Sequence, residues 1–99
     1  MKGPTVKTDH YEELSKGDGE ALYSYKGLPI LATGGTHEYA ANTIAGLLPA
    51  GASILELGAG SGALSLRLAE AGFEVTAVDY VAANYQARHE KIDFHALDL

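Results

Sequence analysis

Three glycines fall within five residues in the stretch ILELGAGSGA, Ile54 to Ala63, directly after an acidic residue in an apolar run. Ser53 to Leu57 is short, apolar and barely alternating, the pattern of a strand covered on both faces. From Ala63 the spacing turns helical: Leu64, Leu68 and Ala71 share a face that Gly72 closes. A strand that gives way at once to a helix brings the first, unpaired helical N–H groups to the carboxyl edge of a sheet. Gly58 permits the tight turn and Gly60 lets a ligand approach the backbone. Gly62 is expected to let the helix pack close to the strand. A glycine-rich turn packed against protein alone would use the same residues.

The segments that follow repeat the theme. Phe73 to Val78 predicts a second strand ending at Asp79, Val81 to about Arg88 a weak helix, and Ile92 to Leu97 a third strand ending at Asp98. Strand, helix, strand, helix, strand with short connections predicts an α/β fold, a Rossmann-like parallel sheet with flanking helices. Its strand tips would gather the glycine loop, Asp79 and Asp98 at one crevice. Asp79 stands 21 residues after Gly58, where a carboxylate can accept from both hydroxyls of a ribose.

Upstream, Asp9 and Glu12 have capping-box spacing, which predicts a short helix from His10 to Lys16 stopped by Gly17. Residues 18–35 are ambiguous between short extended pieces and a helical turn. Thr36 is expected to cap a helix in which Ala40, Ile44, Leu47 and Leu48 share a face, ending at Pro49. Residues 1–35 thus read as a helical or irregular N-terminal segment, and 36–99 as the first part of the Rossmann-like domain.

Ninety-nine residues suit one small domain. The absence of cysteine excludes disulfide scaffolds, thiolate metal sites and cysteine nucleophiles, and suits a cytoplasmic location. No run approaches a membrane span. With a net charge of −6 and only 7 scattered Lys and Arg, nucleic acid is disfavoured as a partner. His10, His89 and His95 have no metal-ligand spacing.

GAGSGA fits the dinucleotide pattern G-x-G-x-x-G/A through Gly58, Gly60 and Ala63, and also G-x-G-x-G through Gly58, Gly60 and Gly62. ILELGAGSG followed by VTAVDY resembles the first motif and second-strand acid of class I S-adenosylmethionine-dependent methyltransferases, and HALDL resembles their third-strand tip. The resemblance covers about Thr36 to Leu99. Glu56, inside the first strand, matches an acid of that family, where dinucleotide folds usually carry a neutral residue. A crevice with Glu56, Asp79 and Asp98 also suits a sulfonium cation better than a pyrophosphate.

The resemblance implies S-adenosyl-L-methionine as cofactor and a small-molecule or protein methyl acceptor. Gly58, Ala59, Gly60 and Gly62 would meet its methionine and ribose parts, with Glu56 bonding around the loop. Asp79 would bind the ribose, Tyr80 would pack near the adenine, and Asp98 with the Leu99 backbone would read the adenine edge. No catalytic residue is assigned, because acceptor-binding groups in this family usually follow a fourth strand. His37 could face the crevice, although a surface histidine is the favoured reading. A NAD(P)-binding oxidoreductase domain and a non-catalytic nucleoside-binding module are the alternatives. Three of the family's seven strands are present, so the chain is expected to be a fragment truncated after the third strand. The outer edge of the first strand is then expected to support self-association.

Overall fold

The computed structural model describes residues 11–15, 22–32 and 35–98. Two three-stranded sheets enclose a helical layer. The first sheet is antiparallel, in the order β1 (Tyr11–Ser15), β2 (Leu22–Tyr25), β3 (Leu28–Ile30). The second is parallel, in the order β4 (Ser53–Leu57), β5 (Glu74–Asp79), β6 (Ile92–Ala96). This is the expected Rossmann-like α/β arrangement.

The N-terminal region departs from expectation. Residues 11–15 form a strand, not a helix, with Tyr11 opposite Tyr25 and Glu13 opposite Tyr23. Pairing with β2 outweighs the local capping signal, because a neighbouring edge satisfies the whole row of backbone groups. His10, Lys16 and Gly17 lie outside the described residues. The ambiguous 22–30 stretch is a hairpin. Its two turn residues, Lys26 and Gly27, both have positive φ (50° and 84°), the twist that matches a two-residue connection between antiparallel strands.

Helix α1 spans Thr36–Leu47, and its cap is Gly35, with Thr36 already helical and no side-chain cap bond. It ends where Pro49 disfavours helical geometry for the residue before it, and Leu48 is accordingly extended at ψ 147°. The predicted apolar face is only partly used. Ala41 and Glu38 are buried and Ala40 and Ile44 half-buried, whereas Leu47 is 76% exposed. Among the described elements α1 packs mainly on α2, with Ile44 against the shared core.

Helix α2 (Ala63–Glu70) is wedged between the hairpin and the parallel sheet, so it buries more than one stripe. Ala63, Ser65, Arg67, Leu68 and Ala69 are all buried. Tyr25, Leu28 and Ile30 from the hairpin thus share one core with Leu68, Phe73, Val75 and Ala77.

The predicted helix over Val81–Arg88 is absent, and only Ala82–Asn84 makes a 3-10 turn. Beyond it the chain runs extended, with the amides of Gln86 and Ala87 both donating to the Ser61 carbonyl at 2.9 and 3.1 Å. Tyr85 is buried and stacks on Phe94 with ring centroids 4.1 Å apart. Those bonds and that stacking replace what a helix would supply. Strand β4 was expected to be covered on both faces. Its Ile54 side faces the core, but Leu55 and Leu57 on the other face are 63% and 59% exposed. No described helix covers that face, and β4 pairs only with β5 among the described strands.

Candidate functional site

The glycine loop is built by β5 as much as by its own sequence. The amides of Gly58 and Ala59 both donate to the Val78 carbonyl, at 2.8 and 3.0 Å, which folds the end of β4 over its neighbour. The next amide, Gly60, donates to an Asp79 carboxylate oxygen at 2.7 Å, and the Val81 amide donates to the other at 2.9 Å. These backbone bonds, Val81 first and then Gly60, hold the Asp79 carboxyl below its ordinary value. Asp79 is therefore an anion at the β5 tip, locked to the middle of the loop.

The three glycines divide the work. A Cβ on Gly58 or Gly60 would meet nothing within 4 Å, so the space before the loop is open. At Gly62 (φ 91°) a Cβ would stand 2.5 Å from the Ala87 Cβ and 2.7 Å from the Tyr85 ring. The close approach that Gly62 serves is thus to the crossover after β5, where proximity to the strand had been expected. It has a structural reason to be glycine.

Glu56 sits behind the loop, half-buried, and accepts a hydrogen bond from the Ser65 hydroxyl of α2. Burial pushes its carboxyl above the ordinary value, partly opposed by the Ser65 bond. The Leu97 amide donates to the Asp79 carbonyl at 3.0 Å, which brings Asp98 to the same sheet edge one residue on. Asp98 is exposed, and Tyr80 is 70% exposed. Leu99 lies outside the described residues.

Two cavities flank Gly60 and Ser61, and Pro29 and Leu31 of the hairpin wall both. The larger, about 350 Å³, adds His37, Gly58, Ala59 and Ala63. The smaller, about 260 Å³, adds Ala83, Asn84 and Gln86. The hairpin wall is fixed in place, since the Ser61 hydroxyl donates to the Pro29 carbonyl at 2.6 Å. His37, for which a surface position was favoured, lines the larger cavity. Burial, reinforced by the nearby Arg67 cation, lowers its pKa and keeps the imidazole neutral near pH 7. Its Nδ1 is buried without a hydrogen-bond partner among the described residues. No group of three or more metal-ligating side chains occurs among the described residues.

Pro29, Leu31, Asn84 and Gln86 were not anticipated as site residues. Nothing local marks them, because they reach the loop only through the packing of the hairpin and the crossover. Arg67 was also missed. It is 4% exposed, its guanidinium 4.0 Å from the Tyr25 ring centroid, and its nitrogens make no hydrogen bond among the described residues.

No protein-family model matches this sequence, and no curated protein matches it. Among solved structures, it is similar to a protein of Anabaena variabilis described as a "putative methyltransferase from antibiotic biosynthesis pathway". The two share 33% identity with a TM-score of 0.53, over 58% of this chain and 25% of that one. The chain thus spans about a quarter of that protein's length. Together with the parallel sheet and its glycine turn, this gives the chain a methyltransferase-like α/β fold.

Proposed function

We propose that this chain is the cofactor-binding part of an S-adenosylmethionine-dependent methyltransferase. The observation that carries the reading is the open loop at Gly58 and Gly60 tied to an ionised Asp79, in a chain similar to a protein described as a methyltransferase. The donor set supports this cofactor over a dinucleotide. A pyrophosphate needs free loop amides, but those of Gly58, Ala59, Gly60 and Gly62 already donate within the protein. No Lys or Arg is among the described residues that line either cavity. Asp79 retains acceptor capacity for ribose hydroxyls, since each carboxylate oxygen has more than one lone pair.

S-adenosylmethionine, when bound, supplies a methyl group on a cationic sulfonium. The chain's own contribution is positioning: the loop offers a surface without side chains, Asp79 offers a fixed acceptor, and Pro29 and Leu31 of the hairpin wall one side. Proximity and orientation are the main requirement of methyl transfer. Tyr80, Asp98 and Leu99 are proposed to border the adenine, as the family resemblance implies.

Isothermal calorimetry with S-adenosylhomocysteine and with NAD tests the assignment. Saturable binding of the former, weakened roughly tenfold to hundredfold by Asp79→Ala through loss of charged hydrogen bonds, is expected. Binding of NAD with no response to S-adenosylhomocysteine would overturn it. Transfer of a labelled methyl group separates an enzyme from a nucleoside-binding module.

A further inference from the structure

The smaller cavity, beside Asn84 and Gln86, shares Gly60 with the cofactor contacts proposed above and none of the others. It shares Pro29, Leu31, Gly60 and Ser61 with the larger one, so the two lie on either side of the same loop residues. Where they adjoin, Gly60 presents no side chain and a Cβ there would touch nothing. A molecule in the smaller cavity therefore lies next to whatever occupies the larger one.

The chemistry of its walls is specific. Pro29, Leu31 and Ala83 are apolar, and Leu31 is 85% exposed, an apolar lip that water gains nothing by wetting. Asn84 and Gln86 bring two carboxamides, each carrying both donors and an acceptor. None of the described lining residues is ionisable. An ion entering would lose hydration with no opposite charge on any described lining residue to offset it. A neutral molecule with an apolar body and a polar edge loses little and gains on both counts. The volume, about 260 Å³, lies at the small end for ligand pockets and suits a single ring system.

The walls are also held in place. Ser61 joins three segments: its hydroxyl bonds to Pro29, and its carbonyl accepts from both Gln86 and Ala87. The hairpin, the glycine loop and the crossover thus meet at one residue.

We infer that the cavity between Pro29, Leu31, Ser61, Ala83, Asn84 and Gln86 is a binding site for a small uncharged molecule with an apolar ring and a hydrogen-bonding edge, the acceptor side of the methyl-transfer site. The acceptor role rests on the cofactor assignment; the cavity's preference for a neutral ligand does not.

Three probes sharing one ring separate the possibilities: benzamide, benzoate and benzylamine, titrated into the whole chain and followed by amide chemical shifts. Benzamide is expected to give saturable shifts at Gly60, Ser61, Ala83 and Gln86, and the two charged probes to give none. Ala83→Trp, at an exposed position, fills the cavity and should weaken benzamide about tenfold or more. Asn84→Leu, also exposed, should weaken it without filling the space. Both variants should retain the affinity of the unaltered chain for S-adenosylhomocysteine. Equal binding of benzoate or benzylamine, shifts elsewhere on the surface, or indifference to both substitutions would overturn the inference. If benzamide maps to the cavity while S-adenosylhomocysteine fails to bind, the neutral pocket stands and the cofactor assignment falls. The reverse result removes the pocket alone.

Discussion

At Gly62 one hydrogen atom in place of a methyl group decides whether the crossover can close over the loop. Alanine there would add a Cβ 2.5 Å from another Cβ at a backbone φ of 91°. Overpacking costs about 1–3 kcal/mol and the left-handed conformation about 1–2 kcal/mol more for a residue with a Cβ. Gly62→Ala should therefore lose at least about 2 kcal/mol in urea unfolding, and a loss under 1 kcal/mol would show that the crossover yields easily. Glu56 makes a different kind of claim. Its folded pKa is raised above the reference value of 4.5 by burial. A raised carboxyl contributes its full stability below 4.5 and loses it as pH rises through the folded value. Glu56→Gln stays neutral and can still accept from Ser65. The variant's stability relative to the parent should thus increase between pH 4.5 and pH 8. An offset that is flat with pH in denaturant titrations would dismiss the burial argument.

The hairpin β2–β3 is the element that gives the open loop a facing wall. Its apolar side joins the α2 core through Tyr25, Leu28 and Ile30, and its tail carries Pro29 and Leu31 to the glycine loop. Outside the core, the Ser61–Pro29 bond joins it to the loop, and the Lys26–Glu70 ion pair (2.6 Å) joins it to α2. The ion pair is partly exposed and contributes little. The Ser61 bond should contribute about 0.5–1.5 kcal/mol. Ser61→Ala is expected to lower stability by that amount and to speed amide exchange in the hairpin more than in β4–β6. Uniform acceleration across both sheets would mean the hairpin does not open on its own.

For the whole molecule, the feature that bears most on its solution state is the parallel sheet's outer surface. Leu55 and Leu57 lie bare on β4, and none of that strand's exposed residues, Ser53, Leu55 and Leu57, is charged. Natural edges normally carry charge, proline or a bulge to discourage pairing. The chain is expected to self-associate through β4 as concentration rises, and Leu55→Lys to suppress it, as read by sedimentation. A species that remains monomeric at high concentration, with Leu55→Lys indistinguishable from the parent, would remove β4 as the contact.

Much of the second half is determined by local sequence. The strands at 53–57, 74–79 and 92–96, the helix between the first two, and the glycine turn follow from patterns a few residues long. There, apolar spacing and glycine placement act through neighbours in the chain. Asp79 belongs with them, because the end of β5 next to a parallel neighbour can lie only at the sheet's carboxyl edge. The tertiary structure decided the rest. Residues 11–15 carry a helix-start signal but gain more from β2, which no local pattern reveals. The 81–88 segment forgoes a helix because Ser61, far upstream, and Phe94, beyond the crossover, offer it bonds and stacking. Pro29, His37, Asn84 and Gln86 enter the site only once both halves are packed. Sequence determines what each short segment prefers in isolation; contacts between distant segments, whose energies match or exceed those preferences, determine which of them prevail.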